Sequence, residues 1–388
     1  MILALEGLKI IEMGTFGPAT MAAGWLGDMG ADIIMVEAPL NQAMDAAYKE
    51  GGRTRAVRSR NKRSIVLDLR QQAARDVLHQ LVKTADILIE ANRPGIAKRL
   101  GFDYETLSAI NPRIIVCSST GYGQSGPYAQ IPGHGLVWEA TGGWLKMQGQ
   151  GYGNMGGDYT GRPWLNYFNL PDMKGAPRIM ASILLALYAR EKVGVGQYLD
   201  LALFDSVIAI KDAPVQPAGD GTFTRVRPSW NVYECKDGKY IAFAAGEAVQ
   251  WRNLCEAIGL PELANDRGAS EERGQEIIQI FNKIFKTRTR DEWFAKLSQV
   301  DTEVAKVNTI DEAKNDPQVK TRDMHVEVIG DGGQREVQYG NLFKLSKTPG
   351  RAVHTRAPNF GEHTDQILTE IGYSKAKISG LRQTKAAL

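Results

Sequence analysis

Asp172 is the side chain in this sequence with the clearest potential for covalent chemistry. It ends the segment Asn169-Leu-Pro-Asp172, ahead of an apolar stretch whose large residues recur at helical spacing. That spacing predicts a helix with Asp172 at its N-cap and Pro177 near the first turn, where proline is tolerated. A carboxylate there faces the positive end of the helix dipole and free N–H groups, which favour the ionised, nucleophilic form. A cap without a chemical role is the alternative interpretation.

Basic residues follow several predicted strands, and they indicate a ligand that carries phosphate groups. Residues 61–64 (NKRS) follow the second strand after a long connection, and residues 92–95 (NRPG) follow the fourth, with Lys98 and Arg99 just beyond. Arginine offers a planar fork of donors that suits phosphate. The first turn lacks Gly-x-Gly-x-x-Gly, so the sequence does not predict a plain NAD site. Solvated surface charge is the alternative for each residue.

Strands that alternate with helices must position these side chains. The predicted strands are apolar runs at residues 8–13, 31–37, 64–69, 86–90 and 113–118. The order predicts an α/β fold with a Rossmann-like parallel sheet and helices on both faces. Ligands of such sheets bind beyond the carboxyl ends of the strands, where the basic loops lie.

Composition and charge argue against several classes of protein. The chain has 388 residues, which predicts two domains, and its net charge of +3 argues against a nucleic-acid-binding protein. Its three cysteines and five histidines show no metal-ligand spacing, so we expect buried free thiols and no bound metal. We find no signal peptide and no run of membrane-spanning length, and we expect a cytoplasmic protein that does not bind membranes.

Composition also predicts where the domains divide. Residues 1–205 form the predicted large domain, and residues 206–229 form a linker rich in proline and glycine. A hairpin and later helices predict a smaller α+β domain over residues 230–328. Residues 329–388 form the last segment, which contains a predicted helix that runs through Ile371. Eight glycines within residues 142–161 predict a mobile loop before Asp172, as either a cover for the site or a surface insertion.

The chain resembles the class III CoA-transferase (CaiB/BaiF) family, which includes formyl-CoA and carnitine CoA-transferases and also the α-methylacyl-CoA racemases. The likeness runs through nearly the whole chain in short segments that are specific by their order and spacing. These segments are Gly17-Pro18 and residues 26–37, 61–64, 93–95, 99–102, 121–127, 190–197 and 357–365.

The resemblance implies that this protein moves CoA from an acyl-CoA to a small carboxylic acid. In the family, the aspartate at the place of Asp172 attacks the donor thioester and forms a mixed anhydride. The departing CoA thiolate returns and gives an aspartyl-CoA thioester, from which the acceptor acid takes the CoA. The CoA thioester is then a substrate, and no tightly bound cofactor is expected. The residues implied to contact CoA are Gly17, Pro18, Arg93, Arg99, Lys62 and Arg63.

Two residues differ from the usual transferase pattern, and they are compatible with a second function. His134 stands where many of these transferases have tyrosine and where the racemases have a histidine, and Glu247 falls where the racemases carry a supporting glutamate. The alternative is therefore an α-methylacyl-CoA racemase or epimerase in which His134 and Asp172 act as bases on opposite sides of the α-carbon. A histidine that only fills the space of the tyrosine is the plainer interpretation.

The resemblance also implies an interlocked dimer. Each chain has a Rossmann-like large domain and a small domain, and residues 329–388 return to the large domain. The site lies between the large domain of one chain and the small domain of the other. We expect a homodimer, with a hetero-oligomer formed with a paralogue as the alternative. In that case the chain could be a non-catalytic CoA-binding subunit. Aromatic residues near the site suggest a bulky acyl group, with ordinary packing as the alternative. They are Trp138, Trp144, Tyr152 and Trp164.

Overall fold

The structure is a computed structural model that describes residues 2–14, 17–39, 58–145, 169–209, 227–329, 333, 335–351 and 355–388. The chain divides into two units, of which the second comprises the described residues 227–319 and the first comprises the others. The second unit therefore ends at Val319 rather than at the predicted Val328. The strand that contains Val328 pairs with a later strand of the first unit, which explains the difference.

The first unit is built on a six-stranded parallel sheet. Its strands are β1 (Lys9–Glu12), β2 (Asp32–Glu37), β3 (Lys62–Val66), β4 (Ile87–Glu90), β5 (Ile115–Thr120) and β6 (Tyr198–Ala202). They lie in the order β3-β2-β1-β4-β5-β6, and every neighbouring pair is parallel. The helices that accompany them are α1 (Pro18–Asp28), α2 (Gln72–Val82), α3 (Ile96–Leu100), α4 (Tyr104–Ile110), α5 (Gly135–Thr141), α6 (Leu170–Val193) and α7 (Leu203–Ile208). This is the strand order of a doubly wound Rossmann fold.

Helices cover both faces of this sheet, as the sequence predicted. Ile10 and Ile87 join a core with α1 and α6, whereas their neighbours Ile11 and Leu88 join a core with α2 and the C-terminal helices. Successive side chains of a strand point to opposite faces. Both faces are therefore apolar, which is why these strands stand out in the sequence as continuous apolar runs.

The second unit combines an antiparallel sheet with helices. Its strands are β7 (Trp230–Glu234), β8 (Tyr240–Ala244) and β9 (Val304–Lys306). Its helices are α8 (Ala248–Ile258), α9 (Glu271–Phe285), α10 (Arg290–Leu297) and α11 (Ile310–Asn315), with a 3₁₀ helix at Pro261–Asn265. The predicted hairpin is present, and Gly238 takes the left-handed conformation its turn requires, with φ of 71°. Tyr233, Trp251, Phe281 and Phe285 form the centre of its core.

The C-terminal segment packs on the first unit. It contains α12 (Pro317–Thr321), which crosses the boundary between the units, and then β10 (His325–Ile329), β11 (Arg335–Tyr339), α13 (Thr364–Glu370) and α14 (Lys375–Gln383). The last residues run beside edge strand β3, where the Leu388 N–H donates to the Val66 carbonyl at 3.2 Å. Ala386 and Ala387 are fully buried there, so this segment covers the open edge of the sheet.

Several predictions concern residues that the structure does not describe, while others can be compared with it directly. Tyr152, Trp164 and most of both the glycine-rich stretch and the predicted linker lie outside the described residues. Cys117, Cys235 and Cys255 are buried free thiols, as predicted. Within the described part, no helix is long and apolar enough to cross a membrane, and no group of three or more potential ligands could hold a metal ion.

Candidate active site

A cleft of about 890 Å³ opens at the carboxyl ends of three neighbouring strands. Gly14 follows β1, Arg93 follows β4, and Ser119 lies near the end of β5, and all three line the cleft. The strand order reverses between β1 and β4, which is where doubly wound sheets bind their ligands. The predicted position of the site therefore coincides with a real cleft.

Asp172 lines this cleft from the first turn of α6, although not from the predicted cap position. The N-cap is Asn169, which takes a left-handed conformation with φ of 42°, and Asp172 is the third residue of the helix. The expectation that Asp172 caps the helix was therefore wrong. Pro177 likewise falls inside the helix rather than near its first turn. The Pro171 ring is accommodated at the second helical position, which let the helix begin earlier than the sequence pattern indicated.

The carboxyl group of Asp172 is partly buried, and burial is the largest influence on its pKa. Desolvation raises the pKa of Asp172 above its usual value. Three effects oppose it without reversing it, namely a hydrogen bond from Asn169 and the charges of Arg58 and His134. The prediction that the helix terminus favours the ionised form did not include this desolvation. The predicted direction of the pKa shift was therefore wrong. A raised pKa makes the carboxylate a stronger nucleophile once it is ionised.

Within the described part of the chain, one oxygen of this carboxylate accepts a hydrogen bond and the other does not. The Asn169 Nδ2 donates to Asp172 Oδ2 at 2.8 Å. Among the described residues, no hydrogen bond reaches Oδ1. The side chain is thus oriented through one oxygen, and the second can react with a ligand in the cleft.

Gly17 lies against Asp172, and both Gly17 and Pro18 line the cleft. Gly17 is the N-cap of α1 with φ of 66°, and a Cβ atom there would lie 3.6 Å from Asp172 Oδ2. Helices α1 and α6 pack closely at this end because Gly175 has no side chain, since a Cβ there would lie 3.2 Å from Pro18. The start of α1 therefore forms the wall of the cleft next to the carboxylate.

His134 lines the same cleft from the N-cap of α5. Its side chain is exposed, and its charge contributes to the pKa of Asp172. The buried indole of Trp138 lies behind it, with Nε1 so close to Gly121 and Gly133 that a Cβ at either glycine would lie within 2.9 Å. The two residues that the resemblance pairs, His134 and Asp172, are thus brought to one cleft.

The basic residues proposed for CoA do not all reach this cleft. Arg93 lines it, and the loop that carries Arg93 is held by Glu90, which accepts hydrogen bonds from the Asn92 N–H at 2.7 Å and its Nδ2 at 3.1 Å. Arg99 is exposed in the last turn of α3 and is not among the described residues that line the cleft. Arg93 is therefore the predicted arginine that the geometry supports most directly.

Lys62 and Arg63 are engaged elsewhere in the first unit. The Lys62 ammonium is fully buried and forms an ion pair of 2.6 Å with Glu12. Arg63 bridges Asp32 at 2.7 Å and Glu370 at 2.6 Å. Both residues were predicted to lie in a loop before the third strand, but they are the first residues of β3, and neither is among the described residues that line the cleft. The structure does not bring them to the site.

Glu247 belongs to the second unit, where it has a local role. It is the N-cap of α8 and forms a capping box with Gln250, whose side-chain oxygen accepts from the Glu247 N–H at 3.2 Å. Such reciprocal bonds satisfy N–H groups at the start of a helix. The capping box gives Glu247 a structural role within the second unit.

Sequence reasoning missed several residues of the site. The charge of Arg58 lowers the pKa of Asp172 through space, and Asn169 donates a side-chain hydrogen bond to Asp172. No sequence motif indicated either interaction. Three buried polar atoms of the cleft residues have no hydrogen-bond partner among the described residues, and they are Ser119 Oγ, Thr120 Oγ1 and Trp138 Nε1. Unpartnered polar atoms at a cleft are candidates for contact with a ligand or water.

Comparisons with known proteins agree with this architecture. Residues 5–364 match the model of CoA-transferase family III. The chain is 31% identical to the succinyl-CoA–L-malate CoA-transferase beta subunit of Chloroflexus aurantiacus, over 99% of this chain and 98% of that protein. It is 28% identical to the α-methylacyl-CoA racemase of Homo sapiens, over 99% and 97% of the two chains. A crystal structure of a CaiB/BaiF family protein from Brucella suis covers 96% of this chain and 100% of its own, with a TM-score of 0.78 and 26% identity.

Proposed function

This chain belongs to CoA-transferase family III, and on that premise we propose that it moves CoA from an acyl-CoA to a carboxylic acid through an aspartyl-CoA thioester at Asp172. The observation that supports this most strongly is the carboxylate itself. Asp172 lines the cleft at the switch point of the sheet, with one oxygen oriented by Asn169 and the other available for attack. A nucleophilic carboxylate needs this combination of orientation and access.

The proposed reaction consists of two symmetrical exchanges. Asp172 Oδ1 attacks the thioester carbonyl of the donor, the carbon–sulfur bond breaks, and a mixed anhydride and the CoA thiolate result. The thiolate then attacks the aspartyl carbonyl and releases the donor as a free acid. The acceptor carboxylate attacks this aspartyl thioester, and the thiolate returns to the acceptor carbonyl, which restores Asp172. No proton is consumed overall, and the energy of the thioester is conserved.

The start of α1 and the loop after β4 are the proposed contacts for CoA. Gly17 has no side chain, so the main chain can approach a thioester at Asp172 closely. Arg93 extends from the cleft and suits a phosphate of the nucleotide part. Arg99 is exposed on the next helix, and we retain it as a candidate contact beyond the cleft.

The relatives suggest which substrates to try first. The similar protein of Chloroflexus aurantiacus is named for succinyl-CoA and L-malate. We therefore propose a short dicarboxylic acyl-CoA as the donor and a short carboxylic acid as the acceptor. A panel of donors and acceptors, with products identified by mass spectrometry, would define the pair that this protein uses.

Replacement of Asp172 provides the direct test. Asp172→Ala should lower CoA transfer by about 10⁴-fold or more, because the covalent route is lost. Glu191→Ala is the matched control, since Glu191 is an exposed carboxylate near the other end of the same helix. Transfer at the normal rate by Asp172→Ala would refute the proposal.

Racemisation is the second candidate, and the placement of His134 in the same cleft as Asp172 favours it. Two bases that share a cleft could remove and return the α-proton of a 2-methylacyl-CoA from opposite sides. Glu247 remains a candidate for this function alone. Incorporation of deuterium from heavy water without an acceptor acid would indicate this reaction. His134→Tyr separates the candidates, because it should abolish exchange by a racemase and leave a transferase active.

The assembly belongs to the same proposal. We propose a homodimer, and a complex with a paralogue is the alternative suggested by the name "beta subunit" of the similar protein from Chloroflexus aurantiacus. Light scattering of the purified chain, together with its activity when expressed alone, distinguishes the two. An inactive chain that becomes active on addition of a paralogue would favour the alternative.

A further inference from the structure

A buried carboxylate beside the cleft has no part in the chemistry described so far. Glu139 lies on α5 and is only 1% exposed. Its Oε1 accepts a hydrogen bond of 2.9 Å from the N–H of Leu170. Leu170 is the first residue of α6, the helix that carries Asp172. Glu139 thus links α5 to the start of the helix with the proposed nucleophile.

This bond replaces one that a helix usually receives from its own cap. The N–H groups of a first helical turn have no partner within the helix, and an N-cap side chain commonly accepts from them. Asn169, the N-cap of α6, accepts no such bond, and its amide nitrogen donates to Asp172. Glu139 accepts from the first N–H in its place, and the amide of Asn169 remains available to orient the nucleophile.

A second contact joins the same two helices. Gly135, the first residue of α5, lies directly against Asn169, and a Cβ atom at residue 135 would clash with Asn169 Oδ1. Gly135 and Glu139 are four residues apart, so they lie on one face of α5. Helix α5 therefore contacts the start of α6 at two points, one turn apart.

From this geometry we propose that Glu139 is a positioning residue, which holds His134 and Asp172 in a fixed relation across the cleft. His134 immediately precedes Gly135, and Asp172 lies in the same helical turn as Leu170. With both contacts in place, neither helix start can shift without the other. This inference rests on the proposed function, because it takes Asp172 as the reacting group of the cleft that His134 also lines.

Glu139 itself does not contact the reacting atoms. It is not among the described residues that line the cleft, and its burial leaves no path for a substrate. Burial raises the pKa of Glu139, and the bond from Leu170 opposes that effect. The contact needs an acceptor oxygen rather than a charge, so glutamine is the conservative replacement.

Kinetics of two variants test the proposal. Glu139→Ala should lower kcat by about 10- to 100-fold, because small displacements of reacting groups have effects of that order. The KM for acyl-CoA should change less than about twofold, since Arg93 and α1 are untouched. Glu139→Gln should retain kcat within about threefold of the wild type, because its amide oxygen can still accept the bond. Equal losses of kcat in both variants, or a normal kcat in Glu139→Ala, would overturn the proposal.

A double-mutant cycle tests the second contact without changing Glu139. Gly135→Ala should lower kcat by about tenfold or more in the wild type, because the methyl group displaces Asn169. In the Asn169→Gly background the same change should have an effect below about twofold, because the clashing amide is absent. An equal loss in both backgrounds would show that the contact between Gly135 and Asn169 does not position the site.

Hydrogen exchange separates this proposal from the proposed function. Exchange of the Leu170 amide should be at least about tenfold faster in Glu139→Ala than in the wild type and nearly unchanged in Glu139→Gln. This result is expected whichever reaction the enzyme catalyses. A wild-type protein that transfers no CoA but shows this exchange pattern would refute the function and retain the contact. An unchanged Leu170 amide in Glu139→Ala would refute the contact itself.

Discussion

At the scale of single residues, opposing effects determine the pKa of Asp172. Burial in the cleft wall raises its pKa, whereas the Asn169 amide and the charges of Arg58 and His134 lower it. The net rise gives a carboxylate that is a better nucleophile when ionised and that is protonated at a higher pH than an ordinary aspartate. Activity should therefore fall in acid, as the pH drops through this raised pKa.

The hydrogen bond from Asn169 should set where this acid limb lies. Asn169→Gly keeps the left-handed backbone and removes the bond, so the pKa of Asp172 should rise further and the acid limb of kcat should move to higher pH. Asn61→Gly is the matched control, because Asn61 also has a positive φ and donates to an aspartate, Asp28, at 2.8 Å. A pH–rate profile of each variant checks the prediction. An acid limb that moves equally in both variants would contradict it.

Arg93 should contribute to the binding of acyl-CoA rather than to the chemical step. Arg93→Ala should raise the KM for acyl-CoA by about tenfold or more and leave kcat nearly unchanged, because a phosphate contact stabilises ground state and transition state alike. Arg113→Ala is a suitable control, since Arg113 is an exposed arginine paired with Glu191. Steady-state kinetics at constant ionic strength would test this, and a fall in kcat without a change in KM would contradict it.

At the scale of elements, sequence patterns were informative wherever burial is complete. The first five strands were predicted within about three residues at either end, because strands buried on both faces are continuous apolar runs. Strand β6 was missed, since its edge position leaves Tyr198 exposed and admits Asp200. The start of β3 was also missed, because Lys62 and Arg63 resemble loop residues until their partners Glu12 and Asp32 are known.

The site was only partly predictable for a related reason. Asp172, His134, Arg93, Gly17 and Pro18 were proposed from the sequence, and they line one cleft. The contacts that organise them connect residues far apart in the chain, and no local pattern carries that information. One such contact is the bond from Leu170 to a carboxylate on α5. Short motifs thus identified the candidate reacting groups. The contacts that position these groups could be identified only from the folded structure.

Lys62 should matter for the stability of the first unit rather than for CoA. Lys62→Ala leaves the Glu12 carboxylate buried without its cation and should lower the free energy of unfolding by about 3–5 kcal/mol. Arg63→Ala should lower the free energy of unfolding by only about 1 kcal/mol or less, because the ion pairs of Arg63 are partly exposed. Denaturant unfolding measures the difference. A large rise in the KM for acyl-CoA, with stability unchanged, would instead support a role of Lys62 in binding.

At the scale of the whole molecule, the two units differ in how the chain builds them. The described residues of the second unit form one segment, 227–319, with its own aromatic core around Tyr233, Phe281 and Phe285. The first unit requires the C-terminal segment, which contributes Ile367 and Leu368 to the core beneath its sheet. The described core of the second unit therefore lies within one segment, whereas the core of the first unit is complete only when the C-terminal segment packs on it.

This difference predicts the behaviour of fragments. A fragment of residues 227–319 should fold alone and unfold cooperatively, because its core lies within the segment. A fragment that stops at residue 319 should lack a stable first unit, since α13 and the residues beside β3 are absent. Circular dichroism and thermal unfolding of the two fragments check both statements. A stable, cooperatively folded first unit in the truncated chain would contradict the second.

Covalent trapping at Asp172 tests the central claim most directly. The enzyme would be incubated with succinyl-CoA or another accepted donor and no acceptor acid, then treated with hydroxylamine, and its peptides would be mapped by mass spectrometry. We predict an aspartyl hydroxamate at residue 172, loss of activity, and neither change when the acyl-CoA is omitted. An unmodified residue 172 in enzyme that still transfers CoA would contradict the covalent mechanism.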